Sequence, residues 1–162
     1  MTQVIGGFAA LELHPNILAA VIATGYEEPS AIQAMSIPVI LAGDDMIGQA
    51  QTGTGKTAAF ALPILSRIDP AKREPQALIL APTRELALQV ASAFETYAKQ
   101  MPGVNVIAVY GGAPMGPQLK AIRNGAQIIV ATPGRLVDHM RRDEKVLSTV
   151  RHLVLDEADE ML

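Results

Sequence analysis

No cysteine occurs among the 162 residues, which excludes a disulfide framework and any thiolate metal site and is compatible with a reducing compartment. Basic residues are outnumbered, 13 Lys and Arg against 16 Asp and Glu, and the net charge of −3 gives no general basic footprint. Any contact with a polyanion must therefore rest on a local site. Apolar stretches are broken by Gly, Pro or charge well short of the ~18 residues of a membrane span, and no basic segment follows Met1. Neither a membrane span nor a secretion signal is read, and a cytoplasmic location is expected. His14, His139 and His152 show no ligand spacing, so ordinary surface or partly buried roles are assigned to them. Repeats and low-complexity tracts are missing too. What the chain has in quantity is apolar side chains, 49% of the whole, enough for one soluble domain with a sizeable core.

The apolar pattern alternates between the two regular periods. Residues 1–10 read as a lead-in. Ile17, Leu18, Val21 and Ile22 recur at helical spacing after His14-Pro15, and Gly25 ends that helix. Ser30 and Gln33 have the spacing of a capping box at the start of a second helix, which Pro38 should kink or shorten before Ala42-Gly43. A short apolar strand is expected from Asp45, then a helix from Lys56 to Arg67. Strands follow at Ala77–Leu80, Val104–Tyr110, Ile128–Ala131 and Val150–Leu155, separated by helices that begin after Thr83, at Met115 and after Thr132. Strands and helices alternating at intervals of about 25 residues predict βαβ units. The fold class expected is α/β, with a predominantly parallel sheet and helices on both faces. In such sheets ligands bind beyond the carboxyl ends of the strands, and every polar cluster of the sequence falls at one of those ends.

The first cluster is Ala50-Gln51-Thr52-Gly53-Thr54-Gly55-Lys56-Thr57, which spells a phosphate-binding loop with alanine in place of the first glycine. Gly53 and Gly55 let successive backbone N–H groups face an anion, Lys56 can reach the β- and γ-phosphates, and the Thr57 hydroxyl can hold Mg²⁺. The last cluster, Asp156-Glu157 after Leu153-Val-Leu, has the form of a Walker B element. Asp156 would hold Mg²⁺ through water and Glu157 would orient the attacking water. An acid pair at a helix start also arises for dipole reasons alone.

Asp156-Glu-Ala-Asp159 resembles the signature of the DEAD-box ATP-dependent RNA helicases, and the chain is similar to their first RecA-like domain throughout, with flanks like those of bacterial members. Phe8, Gly25-Tyr26 and Pro29–Gln33 look like the adenine-reading Q motif, and Ala50–Thr57 like motif I, where alanine is the family's own form. Pro82–Ala87 is similar to motif Ia, Gly111-Gly112 to the GG element, and Thr132-Pro-Gly-Arg135 to motif Ib. Ser30 and Ala31 depart mildly from the usual spelling.

The resemblance implies ATP and Mg²⁺ as cofactors and RNA as a partner gripped through its backbone. Gln33 would read adenine through one donor and one acceptor, with Tyr26 and Phe8 supporting the ring, although the capping box is an equally complete role for Gln33. Thr83, Arg84, Gly111, Gly112, Thr132, Gly134 and Arg135 would hold sugars and phosphates. Helix capping remains open for the threonines and an internal ion pair for the arginines. Residues 1–33 are read as lead-in and Q-motif region and 34–162 as the ATP-binding domain.

The resemblance stops at Asp159. The family's next strand, with its Ser-Ala-Thr motif, and a second RecA-like domain would follow in a longer protein, of which this chain is expected to be a piece. Alone it should bind nucleotide, hydrolyse poorly and not unwind. The sheet should carry a central gap between the strand before the phosphate loop and the strand before Asp156. A different P-loop motor and a non-catalytic nucleotide-dependent module are the competing readings.

Overall fold

The computed structural model describes residues 7–51 and 55–162. The chain divides into two compact units, one of Met1–Arg67 with Thr96–Pro102, the other of Ile68–Glu95 with Gly103–Leu162.

The first unit is helical. A 3-10 turn at Gly7–Leu11 precedes α1 (Pro15–Ala23), α2 (Ala31–Leu41) and α3 (Lys56–Arg67). His14 caps α1, its Nδ1 accepting from the Asn16 N–H at 3.1 Å, a role that its spacing from the other histidines could not suggest. The capping box of α2 is formed. The helix runs through Pro38 and stops three residues later. Its last carbonyls are met by Arg67 of α3, whose Nη1 donates to Leu41 O at 3.0 Å, beside Gly43 at φ +85°. Ile17, Val21, Ile37, Leu62 and Leu65 are fully buried.

Residues 45–49 depart from expectation. They form no strand, and Ile47 is fully exposed. A strand persists only where a neighbour satisfies its N–H and C=O groups, and none of the described residues pairs with this segment.

The second unit holds a parallel sheet in the order β2-β3-β1-β4, built from β1 (Ala77–Leu80), β2 (Val106–Val109), β3 (Ile128–Ala131) and β4 (His152–Leu155). Between them run α4 (Arg84–Ala98), α5 (Met115–Arg123) and α6 (Pro133–Arg142). Leu78 is in register with Ile129 and Leu153, and Val109 with Ala131. These residues therefore share one face of the pleat, where Leu78, Val109, Ile129 and Ala131 join Ile122 of α5 and Leu136 of α6 in a core. Two buried glutamines fix the strand entries. Gln127 accepts from Asn105 N and donates to Gly103 O, both at 2.8 Å; Gln76 makes the matching pair of bonds to the backbone of Asp69.

At the sheet edge the face runs out of cover. Leu153 is 62% exposed and Leu155 45%, against 4% for Leu78 beside them. Among the described residues no helix is long and apolar enough to cross a membrane.

Candidate functional site

In the first unit the loop-to-helix junction is built around Gly55. Its φ of +80° and the tight approach of Gln33, whose Nε2 a Cβ on Gly55 would meet, both require glycine. Lys56 and Thr57 follow as the first two residues of α3, half-buried at its N-terminus, where the helix dipole favours an anion. Ala50 and Gln51 lead into the junction; Thr52, Gly53 and Thr54 lie outside the described residues.

Gln33 is 5% exposed and its amide works at both ends. Oε1 accepts from the Ser30 N–H at 3.0 Å, closing the capping box, and Nε2 donates to Gly55 O at 3.2 Å. One donor and one acceptor position of the amide are left by these two bonds. Tyr26 stacks on buried Phe8 at 6.2 Å between centroids with 25° between ring planes. It also bonds the Tyr97 hydroxyl, whose pKa is pushed up by burial and by that contact. At 44% exposure Tyr26 keeps ring surface open.

In the second unit four of the sequence clusters stand at the carboxyl edge of the sheet, as expected. After β1, Thr83 caps α4, its Oγ1 accepting from the Leu86 N–H at 3.2 Å. Exposed Arg84 lies over the Tyr110 ring, 4.9 Å from its centroid, a cation–π arrangement. After β2, a Cβ on Gly111 or Gly112 would meet open space; Gly112 needs glycine for its φ of +85°, whereas Gly111 has no such conformational demand.

After β3, Thr132 occupies the cap position of α6, yet its side chain makes no cap hydrogen bond. The expected capping role falls to position alone, with Pro133 filling the first turn. Gly134 faces open space. Arg135 is engaged internally: Nη1 donates to Ala113 O at 2.8 Å and to Gln118 Oε1 at 3.2 Å, and Nε stands 3.6 Å from Asp138 Oδ2. After β4, Asp156 N donates to Leu80 O at 2.9 Å, and Glu157 adopts a left-handed φ of +54° before a 3-10 turn at Ala158–Glu160. A non-glycine residue held there costs of order 1 kcal/mol or more, a strain that concentrates at functional positions.

Two residues of this edge escaped the sequence. Gln118 of α5 is 5% exposed and His139 of α6 fully buried, with His139 Nε2 3.0 Å from Gln118 Oε1. Burial, then the charges of Arg135 and Arg142, hold the His139 pKa below the ordinary range, with Asp138 opposing. The neutral ring donates through Nε2, leaving Nδ1 buried without a hydrogen bond. The one available signal was a polar residue on the buried side of α5, at helical spacing from Ile122.

Residues 30–162 match the model of the DEAD/DEAH box helicase family. Over 155 residues the chain is 57% identical to proteins named ATP-dependent RNA helicase DeaD in Mycobacterium tuberculosis and Escherichia coli, which covers 96% of this chain but only 28% and 25% of theirs. It thus spans about a quarter of the length of these relatives. Among solved structures it superposes on a DEAD box protein from the hyperthermophile Methanococcus jannaschii with a TM-score of 0.90 and 42% identity, over 97% of this chain and 43% of that one. Saccharomyces cerevisiae Dbp5 carrying a single substitution, bound to RNA and ADP BeF3, matches with a TM-score of 0.86 and 37% identity over 98% of this chain and 40% of its own. With the phosphate-loop junction, the parallel sheet and the ordered edge clusters in place, the chain belongs to the DEAD/DEAH box helicase family.

Proposed function

We propose that this chain is the nucleotide-binding part of an RNA-dependent ATPase and helicase of the cytoplasm, and that it takes adenine nucleotides with Mg²⁺. One observation carries the reading: Gln33 Nε2 donates to Gly55 O, which joins the expected base reader to the residue that opens the phosphate-binding helix. Gln33 reads the adenine edge with the amide positions that Ser30 and Gly55 leave over. Tyr26 stacks on the base with its open ring, and Phe8 braces it from behind. Backbone N–H groups at the junction of Gly55 with α3 cradle the phosphates, and Lys56 neutralises the β- and γ-groups.

The left-handed turn at Gly55 and the Thr57 hydroxyl at the start of α3 fit a hydrated Mg²⁺–phosphate group; Thr57 and, on the family resemblance alone, Asp156 are its proposed ligands. When bound, Mg²⁺ supplies charge stabilisation on the transferred phosphoryl oxygens. Glu157, in its strained conformation, is proposed to orient the water. The family resemblance assigns the remaining catalytic arginines to a second RecA-like domain, and such an arginine is worth roughly 10³ or more in rate.

For RNA, Thr83, Arg84, Gly111, Gly112, Thr132, Gly134 and Arg135 form the proposed backbone grip. The open space at three glycines, the uncommitted Thr132 cap and the exposed Arg84 support it. The edge reads sugar and phosphate rather than base, as expected of a sequence-independent remodeller.

Calorimetric titration with Mg²⁺–ADP tests the reading. The chain should bind, and Lys56→Ala should weaken binding by at least about tenfold. A parent chain that gives no binding heat at millimolar ADP would contradict it.

A further inference from the structure

Two carbonyls flank the Gly111-Gly112 pair, that of Tyr110 before it and that of Ala113 after it. Both are held by side chains from other elements. Gln118 Nε2 of α5 donates to Tyr110 O at 3.0 Å, and Arg135 Nη1 of α6 donates to Ala113 O at 2.8 Å. These two anchors are themselves tied together, because Gln118 Oε1 accepts from Arg135 Nη1 at 3.2 Å and from His139 Nε2 at 3.0 Å. The Gln118 amide thus makes three bonds inside the protein, and it does so while buried, where an unmade bond is expensive. Nothing in this arrangement fills space around the glycines, which stay bare.

The arrangement reaches one step further. Tyr110, whose carbonyl Gln118 holds, carries Arg84 over its ring. The segments after β2 and β3 are therefore linked through one amide side chain that itself lies beneath the surface, and the segment after β1 joins them at the Tyr110 ring.

We infer that Gln118 is a positioning residue for the RNA grip: through Tyr110, Arg135 and His139 it holds the Gly111-Gly112 turn and the start of α6 in one fixed arrangement. The inference rests on the proposed RNA reading for its purpose, though not for its geometry. Gln118 touches no ligand in this scheme. It sets the spacing of groups that do, and pre-set spacing lowers the ordering cost of binding. Without it, Gly111-Gly112 becomes a tether between two unanchored carbonyls, and Arg135 is free to swing towards Asp138.

The test uses the chain with Gln118→Leu, which keeps the volume and removes all three bonds. Backbone ¹⁵N order parameters of Gly111, Gly112 and Ala113, near about 0.85 in the parent, should fall below about 0.6, while β1 and β3 keep theirs. Affinity for a single-stranded oligouridylate, followed by fluorescence anisotropy, should fall about tenfold, and ADP affinity should not change. Should Gln118→Leu fail to fold, Gln118→Glu is read in the same way: it keeps an acceptor for Arg135 and His139 but sets an oxygen against Tyr110 O, so the turn should loosen with the His139 contact retained.

Order parameters unchanged in a folded variant would overturn the inference, as would loosening spread evenly over β1 and β3, which marks a merely structural role. A parent chain that binds no RNA, with the turn still loosened by Gln118→Leu, would overturn the RNA reading and leave the positioning role standing.

Discussion

At the scale of single residues the chain places polar side chains where each bond can be counted. Gln33 has both ends of its amide committed, and so does Gln118; each is buried, so each pins a turn rather than decorating a surface. His139 follows the same logic with a titratable group. Its pKa is held below the ordinary His range by burial and by Arg135 and Arg142, with Asp138 of the same helix opposing and the neutral amide of Gln118 facing it from α5. Between the folded and unfolded pKa values the unfolded chain binds more protons, so stability rises with pH across that window. The contribution of His139 is thus complete above about pH 6.5 and is lost as pH falls below it. Urea unfolding at pH 8 and pH 5 should show this loss, and His139→Gln should reduce the difference. A midpoint that His139→Gln leaves equally pH-sensitive would contradict the assignment.

At the scale of elements, what could be read from the sequence was what is decided locally. The helix Lys56–Arg67 and the end of α6 at Arg142 stand where they were expected, because Gly55, Thr132-Pro133 and the apolar period act within a few residues. The Ser30–Gln33 capping box is likewise a three-residue affair. The strand expected at 45–49 failed because a strand is a non-local object: Met46-Ile-Gly48 offers apolar side chains, but no described residue supplies the ladder. Gln118 was invisible for the same reason, its partners lying 8, 17 and 21 positions away. The turn after β2 gives a prediction at this scale. Gly111 and Gly112 both face open space, but only Gly112 has a positive φ. Gly112→Ala should cost about 1 kcal/mol of stability or more, whereas Gly111→Ala should leave stability unchanged and weaken RNA binding by filling the space a sugar-phosphate backbone needs. Thermal melts with anisotropy on both variants check this; equal effects on stability would contradict it.

At the scale of the whole molecule the parallel α/β sheet could be anticipated from alternating strands and helices, and the family from many short motifs that occur in one order, even though each is modest alone. The net charge of −3 sets a further expectation. The proposed RNA binding rests on the local edge of helix starts, bare glycines and Arg84, so it should be weak, indifferent to sequence and steeply salt-dependent, with a log–log slope of about −0.7 for each phosphate neutralised. Anisotropy titrations of unrelated single-stranded sequences from 50 to 200 mM salt, a range of the order usual for such measurements, should give parallel lines. An affinity that hardly changed with salt would place the contact elsewhere.

Paired calorimetric titrations with Mg²⁺–ADP and Mg²⁺–GDP test most directly whether the junction of Gln33 with Gly55 selects adenine nucleotides. The chain should bind ADP at least about tenfold more tightly than GDP, and Gln33→Met should erase most of that preference while Lys56 remains in place. GDP bound as tightly as ADP by the parent chain would contradict the central claim.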